Sequence, residues 1–381
     1  MPPDAVPGSA ARRSPLAEVA LVFGRLGATA FGGPAAHLAL MEEELVRRRR
    51  WLTRERFLDL LGATNLIPGP NSTEMAIHLG YLRAGWAGLL VAGAAFILPA
   101  AVIVSALAWA YVRWGTVPDA AAVLAGVKPV VLVVVLDALW RFGRTAIRGA
   151  FGGALAAGAA GAAFLGVNEL AVLLGAGAAS AARVARGRAA GISPALLGAL
   201  VPAAAAPVTL GGIFGFFLKV GSILYGSGYV LLAFLRADLV ERLGWLTDAQ
   251  LLDAIAVGQV TPGPVFTTAT FVGWILAGPE GAALATVGIF LPSFVFVALS
   301  GPLVPRIRAS PVAGAFLDGV TVASLGLMAL VTLQLGRDAL ASPVSIGIGV
   351  VAAVLLFGLR VNSAWLVLGG AAVGWVLHLV G

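Results

Sequence analysis

NLIPGPNSTEMAIHLGY, residues 65–81, sets two prolines around a glycine inside an apolar stretch. Asn71, Ser72, Thr73 and Glu74 follow at once, and Asn65 stands just ahead. A proline in a helix interior removes a hydrogen bond and clashes with the preceding turn, at about 3 kcal/mol or more. A break of that cost, crowded with polar groups, marks the end of one half-helix and the start of another.

The surrounding composition says what medium this break sits in. The 381 residues are 60% hydrophobic and only 11% charged, against about 25% charged in a soluble domain. Stretches 86–112 and 120–140 exceed the roughly 20 apolar residues needed to cross a bilayer, and similar runs recur to the C-terminus. The expected class is an all-α polytopic membrane protein in the lipid bilayer. The net charge of +7 falls in short loops between apolar segments, where topology places cations, so no nucleic-acid partner is expected. With no cysteine, disulfides and thiolate metal sites are excluded. Residues 1–15 read as a polar N-terminal tail, and Glu18 argues against a cleaved signal peptide.

The chain is written twice, at an offset of 194 residues. FGRLGATAFGGP (23–34) aligns with FLKVGSILYGSG (217–228), and RWLTRERFLDLLGATNLIPGP (50–70) with GWLTDAQLLDAIAVGQVTPGP (244–264). With one residue of slippage, FILPA (96–100) meets IFLPS (289–293) and AGVKPV (125–130) meets DGVTVA (318–323). The order of these matches divides the chain into a first transmembrane repeat at 16–190, a linker at 191–207 and a second repeat at 208–381.

Each repeat offers six apolar segments, in the first at 16–40, 57–82, 86–112, 120–140, 149–166 and 168–184. If the second one crosses, the arginines at 141–148 fall outside, against the positive-inside tendency. If it enters and returns as a re-entrant hairpin, most of the 25 cations lie inside. Arg12, Arg13, Arg113, Arg236, Arg242 and Arg337 then remain outside. The expectation is five spans plus one re-entrant helical hairpin per repeat, with the second repeat inverted, a recurring design of secondary transporters.

Candidate site residues follow from this plan. Arg25 and Lys219 occupy equivalent positions of the first segment in each repeat, and an intramembrane cation faces a cavity or a partner. Lys128, matched by Thr321, is a third cation. Phe31-Gly32-Gly33-Pro34 and Tyr225-Gly226-Ser227-Gly228 are backbone breaks six residues beyond each cation. At the hairpin tips, Pro68-Gly69-Pro70 and Pro262-Gly263-Pro264 precede helix N-termini, whose N–H groups and dipole bind anions. Asn65, Asn71, Ser72, Thr73, Gln259, Thr261, Thr267 and Thr268 supply polar groups there. Glu74 and Asp137 are candidate proton carriers, each with a salt bridge to Arg25 or Lys128 as the alternative role. His37 and His78 are isolated. No metal-ligand spacing, phosphate loop or nucleophile motif is present, so neither an enzyme nor a cofactor is expected.

These residues resemble the chromate ion transporter family in its long, duplicated form. The resemblance rests on FGGPAAH (31–37), NLIPGPNSTE (65–74) and the echo VGQVTPGPVFTTATFVG (257–273), and covers about 16–381. It points to Phe31, Gly32, Gly33, Pro34, Pro68, Gly69, Pro70 and Asn71, while Tyr225-Gly226-Ser227-Gly228 departs from the first-half form. It implies a multi-pass carrier of the bacterial inner membrane that exports chromate and confers chromate resistance, with sulfate a close analogue. Joined to the residues above, it leads to the expectation that Arg25 and Lys219 neutralise a divalent tetrahedral oxyanion between the two tips. Alternating access would then be driven by protons or by anion exchange. The rival readings are inward transport of sulfate or another oxyanion, a passive anion channel, and an integral-membrane enzyme. A homodimer is an allowed assembly.

Overall fold

The computed structural model describes residues 14–31, 33–64, 66–115, 118–185, 207–224 and 231–380. Helix α1 (Pro15–Thr29) starts on Ser14, whose hydroxyl accepts from the Ala17 N–H at 3.2 Å, with proline in the first position. It ends at Ala30 in extended conformation. Helix α2 (Gly33–Met41) then continues through π-helical Glu42–Arg48 and runs back along α1. Glu18, at the start of α1, accepts from Arg49 at 2.9 Å, from Trp51 Nε1 at 3.3 Å and from Arg83 at 2.6 Å.

Segment 16–40 is therefore not the crossing helix expected from its length. The chain reverses at the Phe31–Pro34 motif, where Gly33 takes φ +76° and Pro34 has no N–H with which to continue a helix. The second half repeats the reversal. Helix α8 (Leu210–Ile223) and α9 (Leu231–Phe234, continued by π-helical Leu235–Arg242) are bridged by the ion pair of Lys219 with Asp238. A Cβ on Gly212 would lie 3.1 Å from the Trp245 ring, at the positions equivalent to Glu18 and Trp51.

Helix α3 (Arg54–Thr64) descends to residues 67–70, all buried, and α4 (Asn71–Trp114) leads away from them. Helix α4 is two helices in one. Its first arm ends at Ala84 (φ −144°, ψ 27°) and Gly85 (φ 60°, ψ −149°), a backbone region open to glycine and strained for other residues. The chain turns so tightly there that a Cβ on Gly80 would collide with the Gly88 carbonyl. In the second half α10 (Asp248–Val260), a 3-10 turn (Val265–Thr267) and α11 (Thr268–Ala309) repeat this course. The break recurs at Ala277 (φ −152°, ψ 31°) and Gly278 (φ 60°, ψ −149°).

Helices α5 (Pro118–Ala146), α6 (Gly149–Phe164) and α7 (Glu169–Ala185) complete the first half. Helices α12 (Pro311–Ala339), α13 (Pro343–Ala353, continued by π-helical Val354–Gly358) and α14 (Ser363–Val380) complete the second. Helices α4, α5, α11, α12 and α14 are long and apolar enough to cross a membrane, and Gly149–Phe164, Leu210–Ile223 and Pro343–Gly358 are shorter apolar helices. Among the described residues there is no strand. The chain is an all-helical polytopic membrane protein.

The halves interlock. Helix α14 packs on α5 backbone to backbone, with Gly126 against Gly370 and Gly374, and α7 packs on α12 through Gly177 on Phe316 and Gly319 on Ser180. Lipid tails are as apolar as leucine, so such contacts gain from close packing of small residues rather than from exclusion of water. Val131 and Val134 of the first half share one buried cluster with Leu327 and Val331 of the second. Most of the expected linker at 191–207 lies outside the described residues.

Candidate anion site at the hairpin tips

The two Pro-Gly-Pro tips are tied crosswise. Gly69 N–H donates to the Leu224 carbonyl at 2.8 Å, and Gly263 N–H donates to the Ala30 carbonyl at 2.9 Å. Donors and acceptors are each 194 residues apart, so each tip caps the first helix of the other half. Both glycines have positive φ, +135° and +93°, and neither has room for a side chain. A Cβ at Gly69 would collide with Glu74 Oε1 and lie 2.6 Å from Ser293 Oγ, while one at Gly263 would meet Ala100 Cβ at 2.6 Å. Ser293 and Ala100 each follow the proline of the opposite half's crossing helix.

At the first tip, Thr73 and Glu74 N–H groups donate to the Pro70 carbonyl at 2.8 and 3.1 Å, starting a helix with no side-chain cap. Ser72, Thr73, Glu74 and Ser293 are all buried, Glu74 to 0% exposure. Among the described residues, neither carboxyl oxygen of Glu74 has a hydrogen-bond partner, nor do Thr73 Oγ1 and Ser293 Oγ. Buried polar groups are overwhelmingly paired, and each left unpaired costs about 1–3 kcal/mol. Glu74 Oε1 and Ser293 Oγ thus meet at one glycine, and Thr73 stands beside Glu74 in the first turn of the same helix. Asn71 is half-buried at the same helix start.

The second tip differs. Thr267 and Thr268 hydroxyls donate at 2.8 Å to the Pro264 and Val265 carbonyls, and the Thr261 hydroxyl at 2.7 Å to that of Val257. Its threonines are occupied by their own helix ends; Gln259 is buried beside them.

The cations are not where their repeat positions suggested. Arg25 is exposed and lines an open groove of about 410 Å³ between α1 and α2, with Thr29, Glu43, Glu44, Arg48 and Arg49, and no tip residue lines that groove. Arg25 makes no ion pair among the described residues. Lys219 is bound by Asp238, which also holds Arg242 at 2.7 Å. The expected joint grip of Arg25 and Lys219 on one anion is thus not formed by these side chains. The equivalent of Asp238 is Glu44, which is claimed instead by Arg49 at 2.7 Å. Lys128 pairs with Asp253 at 3.4 Å, and Asp137 pairs with Arg141 at 2.7 Å on the half-exposed end of α5. The alternative roles considered for Glu74 and Asp137, pairing with Arg25 or Lys128, are not adopted.

His37 Nε2 lies 3.1 Å from the Ala30 carbonyl, joining Gly263 there, and His78 lies 3.4 Å from Ser300. Gly27 and Gly221 serve close packing, since a Cβ on either would strike the backbone of Phe96 or Ile289. Phe31 is exposed and Pro34 half-buried at the reversal. Gly32, Asn65, Tyr225, Gly226, Ser227 and Gly228 lie outside the described residues. Among the described residues no group of His, Asp and Glu is arranged to hold a metal ion.

Ser293, Asp253, Tyr111 and Asp238 were missed by sequence reasoning. For Ser293 a signal exists: the repeat pairs FILPA with IFLPS, so a hydroxyl replaces the Ala100 methyl beside an otherwise matching proline. Asp238 carries a fainter one, as the counterpart of Glu44. Nothing in the sequence brings Tyr111 or Lys128 to Asp253.

A family model described as chromate transporter matches residues 17–181 and again 211–375. The chromate transport protein of Cupriavidus metallidurans is 30% identical over 409 residues, covering 99% of this chain and 98% of that protein. That of Pseudomonas aeruginosa is 32% identical, covering 93% and 91%. A probable chromate transport protein of Synechococcus elongatus is 31% identical, covering 88% of each. All three are named as transport proteins rather than enzymes. No solved structure matches the chain. The bacterial relatives and the apolar helices make this a multi-pass inner-membrane protein. With its model matched once in each half, the chain belongs to the chromate transporter family in duplicated form.

Proposed function

We propose that this chain is a secondary carrier that moves chromate, a divalent tetrahedral oxyanion, out across the inner membrane by alternating access. The anion is held at the first Pro-Gly-Pro tip. The observation that carries this reading is the set of buried polar groups at the first tip with no hydrogen-bond partner among the described residues: Glu74 and Ser293 at Gly69, and Thr73 in the same helix turn. Thr73 and Ser293 hydroxyls donate to the anion's oxygens together with the N-terminal N–H groups of α4, and Glu74 carries a coupling proton. An ionised Glu74 repels a dianion, whereas a protonated one can donate to it, so proton and anion favour each other's binding. Outward movement is supported by charge. A negative interior expels a dianion with about 2.3 kcal/mol per charge per 100 mV.

Two inverted repeats with re-entrant hairpins are the architecture proposed for the movement. The antiparallel pairing of α5 with α14, running from Asp119 near His378 to Gly126 against Gly370, supports inversion. The crossing of α4 and α11, with Gly93 against Phe294 and His78 against Ser300, supports it as well. Arg25, in its groove at the arginine-rich end, attracts the anion towards the tips. Sulfate, of the same shape and charge, is the proposed competitor.

Uptake of labelled chromate into everted vesicles tests the site. Thr73→Ala combined with Ser293→Ala is expected to reduce transport at least tenfold with normal membrane insertion, and excess sulfate to slow the wild type. Wild-type transport by the double variant would place the site elsewhere.

A further inference from the structure

A cavity of about 280 Å³ opens between α5, α6 and α7 of the first half and α12 of the second, and no tip residue lines it. Three charged side chains line it: Arg148, in the extended link before α6, Arg183 near the end of α7, and Asp318 on α12. Arg183 lies over the Phe151 ring at 4.4 Å, which holds its guanidinium where α6 and α7 meet. None of the three charges is in an ion pair among the described residues. The Thr145 and Thr321 hydroxyls are spent on carbonyls of their own helices, at 3.0 and 2.9 Å, so the charges dominate the cavity. The tendency of cations to gather at cytoplasmic helix ends accounts for the arginines. It does not account for a carboxylate among them, at a position where the other repeat has Ala125.

The surroundings of the cavity are those of a bilayer interface. Trp140 is 60% exposed on α5 shortly before Thr145, and Arg144 lies over its ring at 5.6 Å. Exposed tryptophan is enriched at the level of lipid headgroups. Phe151 and Val184, both exposed, give the cavity an apolar rim, along which acyl chains can leave it. Arg141, Arg144, Arg148 and Arg183 share this end of the bundle, which topology places in the cytoplasm.

We propose that this cavity holds the headgroup of one aminophospholipid, a phosphatidylethanolamine of the cytoplasmic leaflet. Its phosphate sits between Arg148 and Arg183, and its ammonium group against Asp318. Basic pockets between helices on the cytoplasmic side suit phosphate headgroups, and guanidinium matches paired phosphate oxygens. Asp318 decides between the sources of phosphate. It repels a free dianion and offers nothing to phosphatidylglycerol, whereas it pairs with a headgroup amine. The arginines belong to the first half and Asp318 to the second, so the lipid ties the halves together at their seam.

Lipid-depleted protein in detergent is titrated with phosphatidylethanolamine, phosphatidylglycerol or phosphatidylcholine and read by native mass spectrometry, with inorganic phosphate as competitor. One phosphatidylethanolamine is expected to bind saturably, about tenfold more tightly than either other lipid, as one charge-assisted bond implies. Arg148→Gln combined with Arg183→Gln should weaken it at least tenfold. Asp318→Asn should abolish its advantage over phosphatidylglycerol and leave binding of the latter undiminished. Unchanged lipid binding by the double arginine variant, or an undiminished preference in Asp318→Asn, overturns the proposal. Displacement of the lipid by millimolar inorganic phosphate would make this a free-phosphate site instead. Should the variants not fold, the wild type decides: choline's methylated nitrogen cannot donate to Asp318, so equal binding of phosphatidylcholine and phosphatidylethanolamine refutes the assignment. None of these measurements involves anion transport, so they stand or fall separately from the tip site.

Discussion

Glu74 Oε1 fills the space that a side chain at Gly69 would need, and no cation stands within ion-pairing distance of it among the described residues. Its counterpart in the other half is Thr268, whose hydroxyl is spent on a helix carbonyl. The carboxyl is thus present once in a duplicated framework, as a coupling group would be. Glu74→Gln keeps the shape and removes the titration. Chromate binding by this variant is expected to be independent of pH across the neutral range, and a proton gradient should no longer accelerate transport, while chromate–chromate exchange persists. An unaltered response to the gradient would exclude Glu74 as the proton carrier. The sequence made Glu74 visible as a charge in an apolar stretch. It could not show that Ser293 reaches the same space at Gly69, because the two residues are more than 200 positions apart.

The elements owe their course to a few backbone breaks. Gly85 and Gly278 share φ 60° and ψ −149°, and nothing lies within 4 Å of a Cβ built on either. Substitution there is a pure backbone effect, at about 1–3 kcal/mol each. Gly85→Ala and Gly278→Ala are each expected to lower thermal stability in detergent by similar amounts, and equal stability to wild type would show that the turn relaxes freely. The breaks at the two Pro-Gly-Pro motifs were legible from proline chemistry. The Phe31–Pro34 reversal was not. A 25-residue apolar segment is also long enough to span, and only the contacts of Glu18 with Arg49 and Arg83 establish that α1 starts at the end where α2 finishes.

At the scale of the molecule, the first half's hairpins open at an end carrying Arg47, Arg48, Arg49, Arg54 and Arg83, and the second half's at an end carrying Arg236 and Arg242 with Asp238, Glu241 and Asp248. If the halves are inverted, these ends lie on opposite sides of the membrane. The chain has no cysteine, so single cysteines at exposed positions report this directly. An impermeant maleimide is expected to label Ala249→Cys in intact spheroplasts, and Glu55→Cys only in everted vesicles. Labelling of both from one side would refute the inversion.

The sequence by itself determined the medium, the duplication and the places where helices break. These follow from local properties: apolar length, proline and glycine geometry, and the positions of cations. Tertiary structure alone decided which charges are spent on one another. Lys219 is taken by Asp238, Lys128 by Asp253 and Asp137 by Arg141, whereas Glu74 has no partner among the described residues. An ion pair depends on distance in space, and in a fold where each half caps and packs against the other, neighbours in space are set by the interlocking rather than by position along the chain.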